Sequence, residues 1–446
     1  MLIILFFFHT IHILEKNHRF HMKNKNSRNI IFMAAVFVSL LIVYFPVSKF
    51  DFLIGWDDQW FVTNHFTEGG FSISNIRSIF TDFYYGQYAP LNQLYYTTLY
   101  RLFGYTPGVY HIVSVMIHYI NCLLVYYFLK ELMGDIDTRE NLKNVKLAFL
   151  TTTMFAILPI NVEPVSWVAA SKVLIYAMFY VVALISYRKY LSSGEPSSYY
   201  LTLVMFLFSF GAKEQAVVLP VCLVLLDYLY SRDLRNKLVW LEKLPFFILA
   251  TMLGLATLDS QQIDRSDFYT WFQRIPLFFY SVSEYITKCI LPVNLSYLYP
   301  FPFLKSEDIP VWLWVHVISI PIIVACFFNK LKNKIILFAL SFFFIHIVLT
   351  SNLFSLARYS VIADRYAYIS AVGSCLFVAT VLLKYSSPKY RLSPHFTALG
   401  AIYLVALIWT SQNYVHVWKN AFTLKERLKI TIESRSDFKK IKDNER

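Results

Sequence analysis

Charge is scarce in this sequence: Asp, Glu, Lys and Arg make up only 15% of its 446 residues, against about 25% in a soluble domain. Glycine is scarce too, at twelve, and neither GxGxxG nor a GxxxxGKS/T loop occurs. The glycine-rich loops that cradle soluble nucleotides therefore have no foothold. HExxH and zinc-type spacings are missing as well. The five cysteines (Cys122, Cys222, Cys289, Cys326, Cys375) lie in apolar stretches and form no CxxC, so they read as inert packing residues. No internal repeat is visible, which removes a common mark of a transporter built from two related halves.

What is abundant is apolar and aromatic: 57% of residues are hydrophobic, with 32 Tyr and 41 Phe. Ile30–Val47 and Pro107–Leu129 carry no charge at all, and such runs approach the ~20 residues that cross a bilayer as a helix. The net charge of +13 sits in short clusters between these runs. The rule that cytoplasmic loops are rich in Lys and Arg accounts for such clusters without a nucleic-acid partner.

Oriented by those clusters, the chain reads as an all-α polytopic membrane protein with about eleven spans. Residues 1–21 read as an over-extended start, with Met22 opening a more typical one and a signal-like segment as the rival reading. Residues 22–413 form the membrane domain. A first helix at 29–48 leads to a long first outer loop at 49–106. Spans follow at 107–129, 147–160 and 172–187, with an elbow at 161–171. The stretch 199–230 is barely enough for two crossings, with Lys213 and Glu214 at its sunken midpoint. Residues 244–258, 311–329, 335–350, 366–383 and 395–413 complete the set. The apolar stretch 275–291 carries Glu284 and Lys288 and reads as interfacial or re-entrant. A basic tail, 414–446, falls on the outer side by parity.

Charges inside or just beneath a bilayer are functional candidates by default, and four groups fall on the outer face. Asp57 and Asp58, between Trp56 and Trp60, would suit a general base or a solvated loop with interfacial tryptophans. Glu163 lies in the elbow, which runs on to Ser171 and Lys172. Lys213 and Glu214 would either neutralise each other or offer Lys213 to a lipid phosphate. Arg358, Asp364, Arg365 and Tyr366 gather at the mouth of the next-to-last helix, where arginine suits a phosphate through its bidentate fork or anchors the interface. His111 and His118, seven apart on one helix face, read as packing residues before metal ligands. The Asn294-Leu-Ser296 sequon is short and common and carries no weight.

The ordered pieces resemble one family. They are WDDQWFVTNH at 56–65, the run from Tyr88 to Leu129, LPINVEPVSWVAASKVLIYAMFYVVAL at 158–184, GAKEQAVVLPVCLVLLDYLY at 211–230, LPVNLSYLYPFP at 291–302, ADRYAYISAVG at 363–373 and VWKNAFTL at 417–424. The set is similar to the membrane domain of the transmembrane and tetratricopeptide-repeat proteins and their bacterial relatives, in the GT-C superfamily of glycosyltransferases.

The resemblance implies a GT-C-like fold and sugar transfer from a polyprenyl-phosphate donor on the non-cytoplasmic side. It makes Asp57 or Asp58 the base and places Glu163, Lys213 and Arg365 on matching positions. Two departures stand out. After the elbow, relatives often carry an acid following Gly-Arg-Lys or Gly-Arg-Ala; here Ala170-Ser-Lys-Val173 leaves Lys172 alone. The tail is also shorter than one ~34-residue repeat, so acceptor docking by repeats is expected to be absent or supplied by a partner.

The expected chemistry is an inverting, metal-independent transfer without a cofactor. Lys172, Lys213 and Arg365 stabilise the leaving phosphate, with Glu214, Asp364, Tyr366 and Arg358 in support. The expected partners are the lipid-linked donor, the bilayer, and a protein, lipid or glycan acceptor. The expected location is a bacterial cytoplasmic membrane. The rival functions are a flippase of lipid-linked sugars and a non-catalytic scaffold.

Overall fold

The computed structural model describes residues 25–83, 88–136, 141–260, 269–327, 331–353, 360–390 and 392–433. The expected start at 1–21 and Arg358 lie outside these residues. Every regular element among them is a helix. That is what a bilayer demands, because in hydrocarbon a helix satisfies its own backbone hydrogen bonds.

In chain order the helices are α1 (Lys25–Tyr44), α2 (Asp58–Phe61), α3 (His65–Glu68), α4 (Ile73–Thr81), α5 (Pro90–Phe103), α6 (Pro107–Ile136), α7 (Asn141–Ile157), α8 (Val162–Ser166) and α9 (Ser171–Ser193). Then come α10 (Pro196–Ala212), α11 (Leu219–Leu229), α12 (Lys237–Ser260), α13 (Trp271–Ile290), α14 (Trp314–Phe327), α15 (Lys334–Val348), α16 (Ser370–Tyr385), α17 (Ser393–Val415) and α18 (Ala421–Glu433). The long helices overlap the expected spans, with α6, α7, α9 and α12 extending well past them at one end, and fewer than the expected eleven are long and apolar enough to cross on their own among the described residues. The first outer loop differs more. Its polar and aromatic residues fold into the short helices α2 to α5, which contain no long apolar run.

Among the described residues, five helices are long and apolar enough to cross a membrane: Asn29–Lys49, Pro107–Ile136, Val168–Ser193, Lys237–Leu255 and Ser393–Trp418. A sixth candidate is the pair Leu142–Ile157 and Pro159–Ser166, bent by 52°. Val311–Cys326, Lys334–Val348 and Ser370–Tyr385 are apolar but shorter. The bend in the pair has a local cause. Pro159 cannot donate a backbone hydrogen bond and disfavours a helical Leu158 before it. The carbonyls freed there are recaptured, Ile157 by Ser411 Oγ at 2.7 Å and Phe155 by Asn161 Nδ2 at 2.7 Å.

The centre of the bundle is α6, α7, α9 and α16, with α10 packed on α9 and α15 on α16. Gly373 permits the last contact: a Cβ there would lie 2.4 Å from the Ala339 carbonyl oxygen. Small residues let membrane helices approach this closely. His118 and Asn121 cross-link the centre. His118 Nδ1 meets Tyr368 Oη at 2.6 Å and Nε2 meets the Ala156 carbonyl at 3.2 Å. Asn121 Nδ2 donates to the Leu174 carbonyl at 3.0 Å. His111 instead approaches the Asp51 carbonyl at 3.4 Å. The two histidines thus serve separate contacts, and no cluster of three potential metal ligands occurs among the described residues.

Candidate active site

The four groups singled out in the sequence meet at one end of the bundle. Gly55, at φ +89°, turns the chain after α1 so that Asp57 stands just before α2, without a side-chain capping bond, and Asp58 is the first residue of that helix. The same helix ends on Phe61, whose ring lies 4.9 Å from the Lys172 ammonium at the start of α9. The charges that act most on Lys172 are those of Lys213, Glu214, Asp57 and Arg365. A loop residue, a helix start, an inter-helix break and the approach to α16 thus converge.

The two aspartates, neighbours in sequence, have different surroundings. Asp58 is fully buried. Its Oδ2 accepts from the Leu53 N–H at 2.7 Å and its Oδ1 from the Ala169 N–H at 2.9 Å. Burial is the main influence and raises its pKa to about 6. The two backbone hydrogen bonds oppose the rise, and the Asp57 charge adds to it. The Trp167 indole N–H, which closes no hydrogen bond of its own, lies near enough to lower it slightly. Asp57 is half-buried, and its carboxylate takes no hydrogen bond or ion pair among the described residues. Its charge is felt by Lys172 and by Tyr297.

Arg365 is held on two sides. Its Nη1 donates to Glu163 Oε1 at 2.5 Å, and its backbone N–H donates to Oε2 at 3.1 Å. The guanidinium carbon lies 5.3 Å from the Trp167 ring, 5.0 Å from Tyr366 and 5.9 Å from Tyr297. This aromatic box fixes the cation by charge–quadrupole attraction while leaving the side chain 20% exposed. Lys213, in the break between α10 and α11, pairs with Glu214 at 3.3 Å and sits 5.4 Å from the Tyr366 ring. The mutual pairing weighed for these two residues is therefore present, but Glu214 remains 44% exposed.

Asp364 supports the site from behind. It is fully buried and accepts from Tyr299 Oη at 2.7 Å and Tyr414 Oη at 3.1 Å. Burial foremost, then the Glu163 charge, pushes its carboxyl well above the usual range. The sequence reading missed the aromatic wall. Tyr297 meets Trp56, Trp167 and Trp418 edge-on at 4.8, 5.4 and 6.0 Å. Trp167 and Trp418 stack at 5.8 Å, so the start of the tail belongs to this end. The signal was present: Tyr297 and Trp418 lie in two of the quoted motifs, LPVNLSYLYPFP and VWKNAFTL. Tyr297 and Trp418 are themselves uncharged, so the cost of a buried charge does not single them out.

A buried carboxylate held by two amides, a second carboxylate without a hydrogen bond among the described residues and three cations thus share one end of the bundle, an arrangement that can accept a proton beside a concentration of positive charge. No family model matches the chain. It is similar to protein O-mannosyl-transferases. Identity is 24% over 362 residues to F38B6.6 of Caenorhabditis elegans, covering 78% of this chain and 49% of that protein. To TMTC3 of Mus musculus it is 26% over 387 residues, covering 76% and 40%. A shorter match, 27% over 154 residues, is to Tmtc1 of Drosophila melanogaster and covers 34% and 17%. The chain spans about half the length, or less, of these curated relatives. The resemblance to transmembrane and tetratricopeptide-repeat proteins read from the motifs is thus met again over three quarters of the chain, within a multi-pass helical membrane protein.

Proposed function

We propose that this chain is a membrane glycosyltransferase that moves a sugar from a polyprenyl-phosphate donor to an acceptor hydroxyl on the non-cytoplasmic face. The observation that carries the reading is the Asp57 carboxylate, without a hydrogen bond or ion pair among the described residues and acting electrostatically on Lys172, at the end of the bundle that also holds Lys213 and Arg365. The names of the relatives make mannose the sugar and a protein hydroxyl the acceptor in this proposal. The non-cytoplasmic side rests on the Lys/Arg clusters that the sequence places at the other end.

The step is a single displacement. The carboxylate of the Asp57–Asp58 pair takes the acceptor O–H proton. The acceptor oxygen forms a bond to the anomeric carbon from the side opposite the phosphate. The bond from that carbon to the phosphate oxygen breaks, and polyprenyl phosphate leaves with the electron pair. Lys172, Lys213 and Arg365 stabilise the charge growing on it, since preorganised cations act most strongly in a site that excludes water. Configuration at the anomeric carbon inverts. A flippase would need polar groups open to both sides; here the buried charges Asp227 and Lys243 of the opposite end are paired with each other, and Arg188 and Arg232 with neighbouring carboxylates.

The test is a panel of polyprenyl-phosphate sugars offered to the purified protein in nanodiscs with serine- and threonine-containing peptides. The expected result is donor-dependent release of polyprenyl phosphate, with mannose preferred and the sugar found on the peptide. Donor binding without turnover for every sugar would contradict the proposal.

A further inference from the structure

We infer that the two adjacent carboxylates divide the work: Asp57 is the base, and Asp58 is a positioning residue that staples the base-bearing loop to the phosphate-binding helix. This rests on the transferase reading above and assigns roles within it.

Geometry carries the argument. A carboxylate that takes a proton from an acceptor must reach that acceptor with a free lone pair. Asp58 is fully buried, and each of its oxygens is engaged by a backbone amide at 2.7 and 2.9 Å. Swinging it toward a substrate would leave the Leu53 and Ala169 N–H groups unpaired in the interior, which folded proteins avoid. Asp57 has no such obligation. It is half-buried, lacks a hydrogen bond among the described residues, and acts electrostatically on Lys172.

The two amides are also placed for this role. Leu53 lies just before the Gly55 turn that delivers Asp57. Ala169 lies between Trp167, a wall of the Arg365 box, and Lys172 at the start of α9. One carboxylate therefore fixes the distance between the proton acceptor and two phosphate contacts. Tyr96 reinforces the same elbow, donating to the Val168 carbonyl at 2.7 Å and meeting Ser171 Oγ at 2.9 Å. A misplacement of a catalytic group by about 1 Å is enough to slow a reaction heavily, so a staple here acts on rate.

The two roles predict different responses to the same pair of substitutions. Asparagine and alanine are equally useless as bases, so Asp57→Asn and Asp57→Ala should both lose roughly 10³-fold in kcat. An asparagine can still accept one amide hydrogen bond; alanine accepts none. Asp58→Asn should therefore lose about tenfold and Asp58→Ala about a hundredfold, each with donor KM little changed. Hydrogen exchange in nanodiscs supplies a readout independent of activity. Peptides containing Leu53 and Ala169 should exchange faster in both Asp58 variants and at the wild-type rate in both Asp57 variants. If Asp58→Ala does not fold, Asp58→Asn and its exchange pattern carry the test. Asp58→Asn as inactive as Asp57→Asn, with Leu53 and Ala169 still protected, would overturn the division. So would an Asp57→Asn protein that keeps its turnover. A wild-type protein without turnover on any donor would sink the transferase reading, while exchange would still decide whether Asp58 is the staple.

Discussion

The two ends of the bundle handle charge in opposite ways. At the end away from the site, charges are matched. Arg188 grips Asp135 with two hydrogen bonds at 2.6 and 2.8 Å, and Arg232 grips Glu242 at 2.6 and 2.9 Å. The fully buried pair Lys243 and Asp227 lies at 2.5 Å, with Tyr187 Oη donating to Asp227 at 2.8 Å. Lys334 closes the group on the Leu229 carbonyl and Ser231 Oγ at 2.7 and 2.8 Å. At the site end Asp57 takes no hydrogen bond or ion pair and Asp58 holds two backbone amides in place of a cation, among the described residues. The indole nitrogens of Trp56, Trp167 and Trp418 are buried without a hydrogen bond. Structure alone favours the first arrangement, because buried polar groups are normally satisfied. Departures concentrate where a protein does chemistry.

If that contrast is sound, substitutions at the two ends should separate stability from activity. The largest effect belongs to Lys243→Met. It leaves the buried Asp227 with Arg232 at 3.0 Å and the Tyr187 hydroxyl but without its fully buried cation, and breaking such a pair costs about 3 kcal/mol or more. The melting temperature in nanodiscs should fall, while turnover per folded molecule stays the same. Lys172→Met should do the reverse. Removing one cation from the developing phosphate charge should lower kcat roughly 10²-fold, with a melting temperature close to wild type.

Acid sharpens the comparison further. Asp58 is flanked by the Asp57 carboxylate, the Trp167 indole and the Leu53 and Ala169 amides, and its pKa is raised to about 6. Protonation neutralises the carboxylate that the two amides hold, so turnover should fall below pH 6 and level off at the roughly tenfold loss expected of Asp58→Asn. The sign for stability is the other way. The unfolded carboxyl titrates near its ordinary value of 3.8, so between there and pH 6 the folded state binds the extra proton, and this group's contribution rises as pH falls. A pH series that loses activity before it loses melting temperature would match this account; parallel loss would break it. The smallest effect is expected from Arg188→Lys. It gives up the bidentate grip on a part-exposed Asp135, which should cost at most about 1 kcal/mol in thermal unfolding with activity unchanged.

Much of this was legible in the sequence because a bilayer imposes simple rules. Helix positions follow from the length of apolar runs, and α10 and α11 break where Lys213 and Glu214 interrupt one. The convergence of Asp57, Lys172, Lys213 and Arg365 was readable because charges so placed need a reason. The roles of Asp57 and Asp58 were not readable. Successive side chains on a helix point about 100° apart, so DD in a sequence cannot say which carboxylate faces the elbow. The Trp167, Tyr297 and Trp418 wall was missed for a different reason. In a chain this rich in aromatics, three more rings carry no sequence signal until Arg365 is seen between them.

The most direct test of the central claim is single-turnover release of polyprenyl phosphate from a mannosyl donor, measured in nanodiscs for wild type, Asp57→Asn and Lys243→Met. The account predicts release by wild type, the same rate per folded molecule for Lys243→Met, and loss of release for Asp57→Asn. Release by Asp57→Asn at the wild-type rate would contradict it.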